Sequence, residues 1–282
     1  MSREPAAGSN LKISRRYLLL AIATGVAGVL AGNPFARFSP RSVNPAASGA
    51  MARLGGTASR APGLPPIPRA RPGKPGVVDR LPPTTNGLAL TIDDGYDSET
   101  VNAYVDFCRD SGIRLTFNPN GVYGAVWNKH AQTLRPLIAS GQVQIGNHTY
   151  YHRNLVDLSS DAVRLEIAKN EAWIERTFGI TSRPWFRPPY GAHDERTDDL
   201  AGELGFTKIL MWNATFGDSQ PIPADVLLKQ ADRYLRPGSL LLGHANHRTI
   251  THLYGDILDL IRGRNLAPVT LDDIFGTTRA HG

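Results

Sequence analysis

The stretch LALTIDDGYDSETV, residues 88–101, decides the fold. Leu88 to Ile92 read as a buried strand, because a short apolar run bounded by turn residues fits a strand covered on both faces. Asp93, Asp94 and Gly95 then end it, and a helical pattern follows in SETVNAYVDFCRDS, 98–111. Two adjacent carboxylates at the end of a hydrophobic strand raise each other's pKa and need something to hold them. An Asx turn explains Asp-Gly blandly. A metal or catalytic site explains it more sharply, and the rest of the chain discriminates.

The pattern recurs. IRLTFN (113–118), VQIG (143–146), PWFRP (184–188), TKILMW (207–212), GSLLLG (238–243) and APVTL (267–271) are further short apolar or β-rich runs. Between them lie helical stretches at 128–140, 159–179, 195–205, 223–235 and 251–263, the second opened by Ser159 as an N-cap. Seven strands alternating with helices imply an α/β protein with parallel strands, in a barrel or an open sheet. In such folds the chemistry sits where strands end and loops begin, the position of Asp93 and Asp94.

The net charge of +6 is unevenly spread. Twelve basic and two acidic residues precede Thr84, a net of +10, so the remainder of the chain carries −4. A mildly acidic folded part argues against nucleic acid as a partner. The one cysteine, Cys108, rules out an intrachain disulfide and, on a helical face, reads as a buried inert thiol.

Residues 1–31 carry Ser14-Arg15-Arg16 ahead of a modest apolar run from Tyr17 to Ala31. This pattern is that of a twin-arginine export signal, with a small-residue cleavage position after Ala31; an uncleaved membrane anchor is the bland alternative. The run is short and weakly apolar for a span of about 20 residues. Residues 32–83 are rich in Pro, Gly, Ala, Ser and Arg, with APGLPPIPRARPGKPG at 61–76, and read as a disordered tether whose charge suits an anionic cell envelope. Residues 84–282 form one catalytic domain in this reading.

Partners for the aspartates follow in order. NHTYYHRNL supplies His148 and His152, whose i, i+4 spacing on a helical turn sets both rings on one face. Two imidazoles and a carboxylate leave open positions on a metal for water and substrate. FRPPYGAHDE places Arg187 after a strand and a turn at Tyr190-Gly191 that can aim a backbone N–H at a reacting oxygen. GSLLLGHANH places His244 at a strand end, poised to act as an acid. His130, His193, His252 and His281 read as polar surface; His247, three residues after His244, reads as loop surface with substrate contact as the alternative. Tyr123, Trp127, Trp185 and Trp212 are candidate sugar-stacking rings, though aromatics in such numbers are mostly core.

TIDDG, HTYYH, RPPYG and LGH, in this order, resemble the polysaccharide deacetylases of carbohydrate esterase family 4, over about Leu88 to Phe275. The resemblance implies a distorted seven-stranded (β/α) barrel and one divalent metal, in that family typically Zn2+. It implies Asp94, His148 and His152 as metal ligands and Asp93 as the base, oriented by Arg187. It further implies the Tyr190 N–H as an oxyanion donor and His244 as the acid, tuned by Asp218. Leu242 would line the acetyl pocket. The chain departs from the family at Ser219, where Trp is common beside that pocket, at Ala245, where Asp is common, and at Ile92, where Phe is frequent. Trp212 or Phe216 is a candidate to fill the place left by Ser219. The implied activity is removal of N-acetyl groups from an amino-sugar polymer, peptidoglycan or chitin-like. An O-acetyl esterase acting on xylan or another acetylated polysaccharide, and a cell-wall-binding module without catalysis, are the competing readings.

Overall fold

The computed structural model describes residues 71–83 and 86–276. The expected export signal of residues 1–31 therefore lies outside the described residues, as does the tether up to residue 70. No described helix is long and apolar enough to cross a membrane.

The opening stretch folds as read. β2 runs over Gly87–Asp94, buried along its whole length, and α1 over Ser98–Ser111. Asp97 caps α1 by accepting from the Thr100 N–H at 2.8 Å. The other expected strands appear as β3 (Leu115–Pro119), β4 (Val143–Ile145), β5 (Trp185–Phe186), β6 (Lys208–Leu210), β8 (Leu240–His244) and β9 (Ala267–Val269). Two strands escaped the sequence reading: β1 (Gly76–Val78) and β7 (Ala214–Thr215). Among the helices are α4 (Ser160–Phe178), α6 (Ala224–Tyr234), α7 (Tyr254–Gly263) and α8 (Leu271–Phe275). Ser159 caps α4 as expected, accepting from Ala162.

Among the described residues every ladder is parallel. The strands form two sheets, β1-β6-β5 and β4-β3-β2-β8-β7 with β9 against β2, where a seven-stranded barrel was expected. A single bridge, Asn147 to Phe186, joins them on one side. On the other, the chain passes directly from β6 in one sheet to β7 in the other. β1 corrects the tether boundary: Gly76–Val78 pair with Lys208–Leu210 and Leu81 is buried, so the folded part begins before Pro83. A three-residue strand among prolines and glycines leaves no period to read.

Alternation along the strands separates two environments. Leu88, Leu90 and Ile92 of β2, Leu115 and Phe117 of β3 and Leu241 of β8 face the helices, packing with Val101, Tyr104 and Val105 of α1, Leu227 of α6 and Ile257 of α7. The opposite face of the strands changes character along its length. At the N-terminal end Ala89, Leu240 and Trp185 cluster with Leu81 and Leu271, and Leu210 at the end of β6 joins the same cluster. Further on come Thr91 and Thr116, and at the C-terminal ends Asp93, Asn118 and His244, with Arg187 just past β5. The sheets thus carry an apolar floor and a polar rim.

Candidate active site

A straight strand would send Asp93 and Asp94 to opposite faces. Asp94 instead adopts a left-handed backbone, φ 67°, which turns its side chain toward the same rim. The next residue, Gly95, is also left-handed at φ 99°, and a Cβ there would meet the Trp127 ring 2.4 Å away. The Trp127 indole N–H donates to the Asp94 carbonyl at 3.0 Å, fixing the turn from below.

Asp94 stands with His148 and His152, their ligating atoms all within 4.8 Å of one another. Asp94 Oδ1 lies 3.4 Å from His148 Nε2 and 3.3 Å from His152 Nε2. That oxygen is buried and makes no hydrogen bond, which is the state of a ligand atom reserved for a cation. His148 Nδ1 is 2.7 Å from the Arg187 carbonyl. Donation there leaves the Nε2 lone pair facing Asp94, as a metal-ligating imidazole requires. Burial, and then the neighbouring His148, push His152 down to about 4, so it stays neutral at pH 7. Burial by itself would lower His148 and raise Asp94; at His148 the charge of Asp93 and then the attraction of Asp94 outweigh it, and at Asp94 the attraction of His148, then of His152 and His244, so His148 sits above the ordinary histidine value and Asp94 well below the carboxylate range. The donor set fits a divalent cation.

The two histidines do not share a helical turn, contrary to the spacing argument. HTYYH is an irregular loop with left-handed residues at Thr149, φ 64°, and His152, φ 56°. Buried side chains hold this loop. Asn120 Nδ2 donates to the His148 carbonyl and, at 3.0 Å, to that of Thr149. Glu166 of α4 accepts from the Tyr151 N–H at 2.8 Å and from Arg153 at 2.7 Å. Sequence reading missed both residues; a buried glutamate inside a helical pattern carries no signal of its own.

Asp93 belongs to a second group. Its Oδ2 accepts from Arg187 Nη1 at 2.9 Å, and its Oδ1 from Asn118 Nδ2 at 2.8 Å. Arg187 is wholly buried and also donates to Thr91 Oγ1 at 2.9 Å. Burial lowers the Arg187 pKa despite Asp93, yet a guanidinium stays charged at pH 7. Asp93 Oδ2 is 3.7 Å from His148 Nε2, so the two groups adjoin.

His244 forms a third. Its Nδ1 is 2.9 Å from Asp218 Oδ1, while its backbone N–H donates to Asp218 Oδ2 at 3.1 Å. Burial by itself would lower the His244 pKa; the Asp218 hydrogen bond and charge, with Asp93 and Asp94 beyond, raise it above the ordinary value. The register of β2 against β8 pairs Asp93 with His244 directly.

The sequence-predicted residues converge with few exceptions. Tyr190, φ 59°, stands in the RPPYG turn with its ring against His152 at 4.6 Å. Backbone hydrogen bonds there run from Gly191 to Pro188 and from Ala192 to Pro189, passing over the Tyr190 N–H. Leu242 is buried on the same face of β8 as His244. Trp212 stacks over the Arg187 guanidinium at 5.3 Å, at the edge of the site. Phe216 does not: it is buried in the helix-facing core, where a Cβ on Gly243 would lie 2.8 Å from its ring. Ser219 is exposed. Trp127 and Trp185 are fully buried core residues. Besides Asn118, the sequence reading missed Asn246, whose Nδ2 donates to Asp94 Oδ2 at 2.8 Å.

A parallel α/β scaffold with a two-histidine, one-aspartate cation set at its strand ends, flanked by a buried Asp–Arg pair and an Asp–His pair, defines a hydrolase-type centre. A family model described as polysaccharide deacetylase matches residues 81–209. The peptidoglycan-N-acetylglucosamine deacetylase of Bacillus cereus is 31% identical over 198 residues, 68% of this chain and 69% of that protein. The chain belongs to the polysaccharide deacetylase family. It is also similar to the solved Bc1960 peptidoglycan N-acetylglucosamine deacetylase, with TM-score 0.64 and 26% identity over 72% of this chain and 94% of that one. BA3943 from Bacillus anthracis, a pseudoenzyme of the CE4 family, superposes with TM-score 0.63 at 22% identity over 72% of this chain and 69% of that one, a likeness of fold alone.

Proposed function

We propose that this protein is a metal-dependent deacetylase that removes N-acetyl groups from an amino-sugar polymer, with peptidoglycan as the first candidate. The observation that carries this reading is the buried Asp93–Arg187 pair at 2.9 Å, set beside the Asp94/His148/His152 cluster. A module that only bound glycan would have no use for a buried carboxylate aimed by a buried arginine. The similarity to the Bacillus cereus enzyme supports the substrate class.

In this reading Asp94, His148 and His152 hold a divalent cation, with Zn2+ the best match to an N/O donor set. Bound there, the cation supplies Lewis acidity and makes water a nucleophile near neutral pH. Asp93 takes the proton of the attacking water, its second oxygen kept in place by Asn118. Arg187 keeps Asp93 aimed. The Tyr190 N–H donates to the oxygen that gains charge as the acetyl carbonyl is attacked. His244, held in one orientation through both oxygens of Asp218, donates its proton to the departing amine. Leu242 and Trp212 bound the acetyl side of the site in place of the Trp that Ser219 lacks. The twin-arginine pattern at residues 14–16 supports export of the folded protein, and replacing Arg15 and Arg16 by lysine is expected to retain it in the cytoplasm.

The test is acetate release by the full chain from an N-acetylglucosamine oligomer and from an acetylated xylan, with chelator and with Zn2+ restored. Chelator-sensitive release from the oligomer is expected. Faster release from xylan would favour the O-acetyl esterase. No release from either by Zn2+-loaded protein would overturn the catalytic reading.

A further inference from the structure

Asn246 lies two residues past His244, in a stretch from which the sequence reading drew a role for His244 alone. The pairing of β8 with β2 extends one step beyond the strands, through the Ala245 N–H to the Asp93 carbonyl at 3.0 Å. That step delivers Asn246, buried, against the turn that follows Asp94. Its Oδ1 accepts from two successive backbone groups, the Gly95 N–H at 3.1 Å and the Tyr96 N–H at 3.3 Å. Because only an oxygen can accept from both, the orientation of the amide is settled: the NH2 group must face the other way. There it donates to Asp94 Oδ2 at 2.8 Å.

The consequence concerns the other oxygen. A carboxylate rotates readily about its last torsion and presents either oxygen, or an edge between them. With Oδ2 held by Asn246, Asp94 Oδ1 is the atom left to face His148 and His152, and it is the one without a hydrogen bond. The same side chain also holds the two N–H groups that follow the left-handed Asp94, so backbone and carboxylate are fixed by one amide.

We infer that Asn246 is a positioning residue for the cation site: it selects Asp94 Oδ1 as the ligand oxygen and thereby sets the affinity of the Asp94/His148/His152 cluster for a divalent ion. This rests on the metal reading proposed above. Partners that orient a ligating side chain commonly contribute about 10- to 100-fold in metal affinity.

The experiment is a Zn2+ titration of the full-length, chelator-stripped protein in competition with a chromophoric chelator, for wild type and Asn246→Ala, alongside thermal unfolding of the metal-free forms. Asn246→Ala is expected to weaken Zn2+ binding by about 10-fold or more. Loss of the turn alone would lower the unfolding temperature without moving the dissociation constant. A constant within about threefold of wild type therefore overturns the inference, whatever the melting temperature. If Asn246→Ala does not fold, Asn246→Gln, which keeps the amide but carries it one methylene further out, is expected to weaken binding in the same direction, and an unchanged constant again overturns it. Wild-type protein that binds no Zn2+ at all would sink the metal reading together with this inference, whereas equal binding by wild type and variant sinks this inference alone.

Discussion

Replacing Arg187 by methionine keeps a long apolar stem and removes the guanidinium. In the folded protein that guanidinium is fully buried and makes two 2.9 Å hydrogen bonds, to Asp93 and Thr91. Asp93 is itself buried and keeps, after the change, only the Asn118 amide as a donor. Breaking a buried pair from one side leaves an uncompensated charge and costs about 3–5 kcal/mol. At about 2–4 °C per kcal/mol for a domain of this size, the melting temperature of metal-free protein should fall by roughly 6–20 °C. Converting Asp93 to asparagine as well removes the stranded charge, so Arg187→Met/Asp93→Asn should be more stable than the two single losses added together, by about 1–3 kcal/mol. Urea unfolding of the four proteins in chelator measures the cycle. Strict additivity would refute the claim that Arg187 acts through Asp93, and with it the proposed role of Asp93 as the base.

Other perturbations test the remaining parts. Asp218→Asn removes the strongest of what raises His244 and leaves Asp93 and Asp94 against burial, so the alkaline limb of the kcat/KM profile should move to lower pH as the maximum falls. By the same linkage, the stability that His244 contributes is full below its unfolded value of about 6.5 and fades as pH rises through its higher folded value; Asp218→Asn should reduce that dependence in pH-resolved urea unfolding. Glu166→Ala strands the Tyr151 N–H and frees the histidine loop; about 1–3 kcal/mol of stability should be lost in denaturant unfolding, with weaker Zn2+ binding in the competition titration. Gly95→Ala sets a Cβ into the Trp127 ring at a left-handed position, and a destabilisation of at least about 2 kcal/mol should appear in thermal or urea unfolding.

The fold was legible where its physics is local. LALTI, SLLLG and the amphipathic helices repeat with strand and helix periods, and Ser159 caps the helix it precedes. The site was legible where a residue ends such an element: Asp93, Asp94, Arg187 and His244 all terminate or follow strands. β1 and β7 were not legible, because three residues among prolines and two in a polar run have no period; they are strands only because β6 and β8 offer them ladders. Asn118, Asn120, Glu166 and Asn246 were hidden for a different reason. Each is an ordinary polar residue whose partner lies on another element, and only the parallel register brings the two together.

His148 and His152 stand together at the strand ends without the helical turn that their spacing suggested, and the cause bears on how the site is built. Five non-glycine residues in the described chain have a left-handed backbone, and four of them are Asp94, Thr149, His152 and Tyr190. A helical turn would fix two imidazoles by its own hydrogen bonds. An irregular loop holds them because neighbours such as Asn120, Asn147 and Glu166 take up backbone groups that no ladder satisfies. Left-handed residues each cost of the order of 1 kcal/mol and persist where their surroundings over-determine them. Here the surroundings are the buried amides and carboxylates that a sequence pattern does not reveal. The strained positions bring the Asp94 carboxylate, the His152 imidazole and the Tyr190 ring to one site beside the strand ends. That convergence is what the regular elements, left to their own periods, would not produce: β2 continued straight would have sent Asp94 away from Asp93, and the two carboxylates could not have shared one rim.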